Sequence, residues 1–172
     1  MKRTKRVLAG ALALLILAAG VALAQEAYTS DDEGYTLELP TQTWKALQRP
    51  DGVHQHTEFV NGDRSEGYLK IRKEVVAPDT KLSDFARNEL DTKLRFLPGF
   101  VANGKEERFS GRLNGVVVGY EYTNAGKQMA GRSYYLQADS RTVFVLNFTG
   151  QRDKLQRIQN QTDAIARSFR LK

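Results

Sequence analysis

The sequence predicts an α+β domain: a central, largely antiparallel sheet between two main helices, arranged as an α/β/α sandwich. Three observations lead to this prediction. Several segments alternate apolar and polar residues with a period of two, which is typical of half-buried strands. Two segments, 82–97 and 152–169, repeat apolar residues every three or four positions, which is typical of helices with one buried side. Short turn sequences separate the strands and favour antiparallel hairpins.

The first 24 residues are typical of an export signal peptide. Four basic residues within 2–6 precede an apolar run over 7–21. The sequence Ala-Leu-Ala at 22–24 then fits the small-x-small cleavage rule, with Gln25 as the first mature residue. The alternative is an uncleaved membrane anchor, since the apolar run is near the lower length limit for spanning a bilayer. We therefore predict an exported protein of the periplasm or the extracellular space, without stable membrane insertion after cleavage.

The charge of the chain belongs mainly to this leader. The formal net charge is +6, but removing the four basic leader residues leaves 22 Lys and Arg against 20 Asp and Glu. A mature charge of about +2, spread evenly, does not favour nucleic-acid binding. The chain has no Cys, which excludes disulfides, thiolate metal sites and cysteine nucleophiles. An exported chain without Cys must be stabilised by core packing.

The mature chain reads as one domain over 35–172, preceded by a short, polar, flexible lead-in at 25–34. Tyr35, Leu37 and Leu39 alternate with polar residues and predict a strand that Pro40 ends. Trp44 follows closely, and a single Trp at this place is most often a core anchor.

Strands and helices then follow in turn. The helix at 82–97 is predicted to stop at Pro98-Gly99, and the helix at 152–169 closes the chain. The weakly patterned segment at 100–109 indicates an edge strand, whereas the apolar run at 143–148 indicates a central strand. The remaining predicted strands are 54–60, 67–75, 113–123 and 128–138.

Short matches along the mature chain resemble one superfamily. They are Tyr35-Thr-Leu-Glu-Leu-Pro with Trp44, Leu-x-x-Phe-Ala from Leu82 to Ala86, the pair of strands around Tyr134-Tyr135 and Val143 to Phe148, Asp153, and Ile165-Ala-Arg-Ser-Phe169. The chain resembles the superfamily of PsbP, the extrinsic photosystem II protein, and of the Ran-binding protein Mog1. The resemblance implies a small, non-catalytic accessory domain that binds another molecule. Export argues against a nuclear GTPase as that partner.

His54, His56 and Glu58 form the sharpest local pattern. Residues two apart on a strand point to the same side, so two imidazoles and a carboxylate would converge. This ligand set suits Zn²⁺ or another divalent first-row metal. His54 and His56 are also the only two His residues in the chain. The alternative interpretation is a solvent-facing strand surface on which polar residues alternate.

Catalytic patterns are weaker. There is no Gly-x-Ser-x-Gly sequence and no His outside the 54–56 pair to act as a base. Paired carboxylates at 31–32 and 106–107 lie in polar runs. We therefore predict a protein that is not an enzyme.

Six aromatic residues fall on neighbouring predicted strands. Most should lie in the core under a helix, while any tyrosine left on the outer side of the sheet would form a groove for a partner or ligand. The six are Tyr120, Tyr122, Tyr134, Tyr135, Phe144 and Phe148.

The predicted function is that of an exported, non-enzymatic accessory or binding protein of the cell envelope that docks on a protein complex. It needs no cofactor and no nucleic acid. The alternative is a divalent-metal-binding protein that uses His54, His56 and Glu58.

Overall fold

The computed structural model describes residues 26–40, 43–50 and 55–172. The predicted signal peptide, residues 1–24, lies outside this part of the chain. The strands are β1 Glu26–Ser30, β2 Tyr35–Leu39, β3 Trp44–Pro50, β4 Gln55–Asn61, β5 Gly67–Val75, β6 Val101–Ser110, β7 Asn114–Asn124, β8 Lys127–Gln137, β9 Thr142–Gln151 and β10 Arg170–Leu171. The helices are α1 Leu82–Glu89, α2 Arg152–Arg157 and α3 Gln159–Ser168, with a π-helical turn at Leu90–Leu94.

Two sheets organise these elements. The main sheet has seven strands in the order β3-β4-β5-β9-β8-β7-β6, and the small sheet has three in the order β1-β2-β10. Every neighbouring pair is antiparallel. The sequence-based prediction of an α+β fold with a largely antiparallel sheet is therefore confirmed.

The main sheet is covered on both sides. Its inner face packs against α2, α3 and the small sheet, where Phe59, Leu69 and Phe148 meet Ile165 and Phe169. Its outer face packs against α1, which contributes Ala86, Leu82 and Phe85 to a second, smaller cluster. Helices on opposite faces make the predicted α/β/α sandwich.

Strand β9 occupies the centre of the main sheet, as the sequence predicts. It pairs with β5 on one side and β8 on the other. Its residues alternate between the two cores: Phe144 and Leu146 lie in the inner cluster, and Val143 and Val145 in the outer one. All four are at most 1% exposed.

The first helix ends earlier than the predicted limit of residue 97. Regular helix stops at Glu89, and the backbone widens into the π-helical turn, in which the Arg95 N–H donates to the Leu90 carbonyl at 2.8 Å. The chain must then turn back to begin β6. The Pro98 carbonyl accepts a hydrogen bond of 2.7 Å from the Thr123 N–H of β7, which fixes this return.

The closing helix is two helices rather than one over 152–169. Ile158 leaves helical geometry (φ −100°, ψ 13°) between α2 and α3. The break lets Leu155 and Ile165, on different helices, both reach the inner core. The apolar spacing of residues 152–169 alone does not distinguish a continuous helix from a broken one.

The predicted lead-in differs most from the structure. Residues 26–30 form β1, paired with β2, and residues 31–34, of which the first three are acidic, form the turn between them. Contacts of Tyr28 explain why this segment forms a strand and is not a flexible lead-in. The Tyr28 ring packs edge-on to Phe59 at 4.9 Å between ring centroids, and the Tyr28 hydroxyl hydrogen-bonds the Thr57 hydroxyl at 2.7 Å. Strands β3 and β10 were also missed. Trp44, the predicted core anchor, is 1% exposed at the start of β3.

Strand β6 is an edge strand, as predicted, and it is interrupted. Its pairing with β7 shifts register between Asn103 and Glu107. Gly104 lies within the shift at φ +81°, a conformation that L side chains rarely adopt. The two halves of β6 are therefore separated by a bulge.

Two glycines on β7 differ sharply in the space around them. A Cβ at Gly115 would lie 2.1 Å from the Tyr135 carbonyl oxygen of β8. A Cβ at Gly119 would meet only Asn103, at 3.6 Å, which is ordinary van der Waals contact. Close strand packing therefore requires glycine at the first position and not at the second.

We predict that Gly115→Ala lowers the free energy of unfolding by about 1–3 kcal/mol, because the strands must move apart to accept the methyl group. Gly119→Ala on the same strand is the control and should change it by no more than about 0.5 kcal/mol. Urea unfolding measures both. Equal effects of the two substitutions would contradict the packing described here.

Candidate functional site

The three predicted metal-ligating residues belong to the strand β4 region. His54 lies outside the described residues, and the side chain of His56 is likewise not described. Glu58 is 6% exposed and forms an ion pair with Arg64. Among the described residues, no group of three or more His, Asp or Glu side chains is placed to hold a metal ion. The metal site therefore stays a prediction, and it would require Arg64 to give up Glu58.

The six aromatic residues divide into core and outer-face residues. The two on the inner side of β9, with Tyr134 and Tyr135 of β8, are at most 1% exposed. Tyr135 packs edge-on to Phe85 of α1, at 5.8 Å between ring centroids. Tyr120 and Tyr122 stand on the part of the outer face beyond this contact, and Tyr122 is partly exposed. The prediction that most of the set is core is confirmed.

Helix α1 covers only one end of the outer face. Its contacts are with β7 and β8, over the cluster that contains Val116 and Tyr135. Toward the other end, several side chains of β5, β7 and β9 on this face keep contact with solvent. We call this surface the open tyrosine face, and it consists of Tyr68, Lys70, Tyr122, Asn147 and Thr149.

The strand register joins this surface to the predicted metal strand. Glu58 of β4 pairs with Lys70 of β5, Lys70 with Asn147 of β9, and Asn147 with Ser133 of β8. Directly paired residues lie on the same side of a sheet. Glu58 therefore lies on the same side of the main sheet as the open tyrosine face. From the sequence, the metal ligands and the tyrosines were two separate candidate sites.

Asn147 of the open tyrosine face forms a hydrogen-bonded group with two buried hydroxyls. The Asn147 side-chain amide donates to the Tyr120 hydroxyl at 3.0 Å and to the Ser133 hydroxyl at 2.9 Å. Burial raises the pKa of Tyr120 to about 12. At neutral pH this phenol stays protonated, so it serves as a hydrogen-bonding group and not as a base or nucleophile.

Cationic and aromatic side chains flank this group. The Arg64 guanidinium lies over the Tyr68 ring, 5.5 Å from its centroid. On the other side, the Phe100 ring contacts Tyr120 at 6.0 Å between centroids. Tyr and Arg are enriched at protein interfaces, because they combine a large contact area with directed hydrogen bonds.

The loop from Arg95 to Phe100 forms a rim beside the open tyrosine face. Backbone hydrogen bonds hold it: Leu97 N–H to the Leu94 carbonyl at 2.9 Å, and Phe100 N–H to the Leu97 carbonyl at 3.1 Å. The loop presents Phe96 with 76% of its surface exposed. A single exposed phenylalanine is common on protein surfaces, and Phe96 adds to the candidate surface because its loop contacts Tyr120 through Phe100.

An ion-pair group ties α1 and the π-helical turn to the sheet. Arg72 of β5 donates to the Glu89 carboxylate at 2.6 Å, and Lys93 pairs with the same carboxylate. Glu89 is 4% exposed. Burial alone would raise the pKa of Glu89, but hydrogen bonds from Lys93 and Arg72 lower it below its ordinary value. This group marks the boundary between the covered and open parts of the outer face.

Sequence reasoning found part of this surface. It singled out Tyr120 and Tyr122 but missed Tyr68, Asn147 and Phe96. Tyr68 alternates with buried residues of β5, so the sequence predicts on which face of the sheet it lies. Its exposure could not be predicted, because it depends on how far α1 extends.

Comparisons with known proteins bear on the fold. No protein-family model matches the chain, and no curated protein sequence matches it. Solved structures do. The Ran-binding protein Mog1p of Saccharomyces cerevisiae has a TM-score of 0.60 at 10% identity, covering 87% of this chain and 96% of its own. Cyanobacterial PsbP from Synechocystis sp. PCC 6803 has a TM-score of 0.57 at 14% identity, with coverages of 90% and 96%.

A third similar structure is LpqN of Mycobacterium tuberculosis, which is involved in cell envelope biogenesis. Its TM-score is 0.57 at 19% identity, covering 85% of this chain and 89% of its own. This chain has the Mog1/PsbP-like fold. The resemblance found in the sequence is confirmed at that level, and identities this low show the fold alone.

We predict that Glu89→Gln lowers the free energy of unfolding by about 1–3 kcal/mol at neutral pH, because an amide does not attract Arg72 and Lys93 as a carboxylate does. A carboxyl whose pKa is lowered by folding stabilises the protein above its unfolded pKa of about 4.5, and this contribution is lost as the pH falls through the folded value.

Urea unfolding over a pH series measures this effect. The difference between wild type and Glu89→Gln should shrink below about pH 4. Glu106→Gln, an exposed site on β6, is the matched control and should show little difference at any pH. A Glu89→Gln effect that persists undiminished in acid would contradict the ionic origin.

The metal prediction has its own test. Untagged protein is equilibrated with Zn²⁺, dialysed and analysed for metal. A site at His54, His56 and Glu58 retains one ion per chain and loses it in His54→Ala. Because Arg64 pairs with Glu58, Arg64→Ala should strengthen binding. Wild-type protein without stoichiometric metal would reject the site.

Proposed function

We propose that this protein is an exported, non-enzymatic accessory protein of the cell envelope that docks on a protein complex through the open tyrosine face and its Phe96 rim. The observation that carries this proposal is the incomplete cover of the outer face. A sheet face that is half covered by a helix exposes aromatic, amide and cationic side chains on a rigid support, which suits protein recognition.

The chemistry of the surface supports binding over catalysis. Glu58 is paired with Arg64, and Glu89 with Arg72 and Lys93, so the buried carboxylates on this face serve as structural anions. Tyr120 stays protonated at neutral pH because its pKa is raised to about 12.

The similar structures agree in kind with a docking role. Mog1p is a Ran-binding protein, and LpqN is involved in cell envelope biogenesis. The predicted leader supports export, and no helix in the described part of the chain is both long and apolar enough to cross a bilayer. The envelope as the place of docking rests on the predicted leader and on the similarity to LpqN.

We predict that a photoreactive phenylalanine analogue at Tyr122 or Phe96 crosslinks to a discrete envelope protein in intact cells, because both positions lie on the proposed surface. The same analogue at Arg157, exposed on α2 behind the sheet, is the control and should give no such adduct. Mass spectrometry of the adducts identifies the partner.

Binding of the purified partner then tests the site quantitatively. Tyr122→Ala should weaken binding at least about tenfold, since aromatic anchors dominate interfaces. Arg157→Ala should leave it unchanged. Equal crosslinking from Arg157, or wild-type affinity in Tyr122→Ala, would overturn the docking surface.

Export has a separate test. N-terminal sequencing of protein from the periplasmic or culture fraction should begin at Gln25, because cleavage follows the Ala-Leu-Ala sequence at 22–24. Ala24→Arg should block processing. An intact N-terminus in membrane-bound wild-type protein would show an anchor in place of a cleaved leader.

A further inference from the structure

A cavity of about 160 Å³ lies beneath α2 on the inner side of the main sheet. Gly119 of β7 and Ala130 of β8 form its floor, while Leu155, Gln156 and Gln159 line the helical wall. The open tyrosine face is on the opposite side of the sheet. The proposed docking function therefore makes no use of this cavity.

The hollow follows from the sequence of two strands. On the inner face, Val117 of β7 and Tyr134 of β8 are large and fully packed. Further toward α2 each inner-face pair combines one small residue and one long side chain: Gly119 lies opposite Arg132, and Ala130 lies opposite Glu121. The space beneath α2 therefore lies over the small residues Gly119 and Ala130, and Leu155, Arg132 and Glu121 also line it.

Arg132 forms a fixed polar wall of the cavity. Its Nε donates to the Tyr134 hydroxyl at 2.8 Å, and a terminal nitrogen donates to Asp163 at 3.1 Å. Tyr134 also hydrogen-bonds Asp163. Two directed bonds set the plane of a guanidinium, so Arg132 is preorganised to donate its remaining N–H groups.

The charges around the cavity are balanced. Arg132 is matched by Asp163, and Arg152 faces Glu121 at 3.7 Å. The cavity therefore has no excess of positive or negative charge that would favour a strongly charged ligand. Neutral polar groups complete the lining, because Asn103, Gln156 and Gln159 each offer an amide donor and acceptor.

The size of the cavity restricts the ligand further. An engineered protein cavity of about 150 Å³ accepts one benzene ring. The hollow beneath α2 is therefore matched to a single six-membered ring. Its polar side calls for several hydroxyl groups, and its apolar side, Leu155 with Ala130, calls for a C–H face. A sugar has both in one neutral ring.

We propose that this cavity binds one sugar unit, with ring hydroxyls held by Arg132, Gln156 and Gln159 and the C–H face against Leu155 and Ala130. Planar guanidinium and amide groups hydrogen-bond pairs of adjacent hydroxyls in two directions at once. Binding of so small a ligand is weak, with a dissociation constant of about 1 mM.

Titration of ¹⁵N-labelled protein tests the proposal. D-Glucose is the probe, cyclohexanol supplies a ring with one hydroxyl, and inorganic phosphate supplies an anion. The sugar alone should give saturable shifts at the amides of Gly119, Gly131 and Gln156. Matching shifts with cyclohexanol or phosphate would overturn the ligand class, and no saturable sugar shift would overturn the site.

Variants locate the binding. Ala130→Leu fills the floor and should abolish the saturable shifts, whereas Ala46→Leu, the same change at an exposed site of β3, should not. Gln156 is exposed, so Gln156→Ala should leave the core folded. This variant therefore tests the site even if Ala130→Leu is unstable. It should weaken binding several-fold, while Asn160→Ala on α3 leaves it unchanged. Wild-type affinity in Gln156→Ala would place the ligand elsewhere.

Discussion

The burial of β9 on both faces is the constraint on which the rest of the structure depends. Phe144 and Leu146 point to one core and Val143 and Val145 to the other, so both sides of the sheet must be covered. The inner side receives two helices and a small sheet. The outer side receives one short helix, whose regular part ends at Glu89. This unequal cover leaves part of the outer face in contact with solvent, and the candidate docking surface is the direct result.

Local pattern was enough to predict the elements that fill the core. The strand at 67–75 has its predicted bounds, and the central and edge positions of β9 and β6 follow from their apolar content. The errors arose where distant contacts decide the outcome. The Pro98–Thr123 hydrogen bond fixes the return of the chain from the first helix to β6, and Tyr28 orders β1 by packing on Phe59 from β4. Both contacts join residues that are far apart in the chain, so neither could be predicted from the local sequence pattern.

The candidate site was predictable only in part, for the same reason. Alternation places Tyr120 and Tyr122 on one side of a strand, yet it does not say which residues a helix will cover. Gly131 lies directly opposite Tyr120, and a Cβ there would enter the Tyr120 ring at 2.0 Å. Because Gly131 has no side chain, the Tyr120 ring can lie over it and the Tyr120 hydroxyl can reach Asn147. A glycine that looks like a flaw in a strand is thus what allows the buried hydroxyl group to form.

The bulge in β6 has a consequence for how the molecule behaves in concentrated solution. An uninterrupted edge strand offers a row of free N–H and C=O groups that other chains can pair with, which leads to fibrous association. At β6 the register shift and the left-handed Gly104 break this row after three paired positions, Val101 to Asn103. A second copy adding at this edge would lose its alignment there. The bulge therefore opposes strand-to-strand association of two copies at the β6 edge of the sheet.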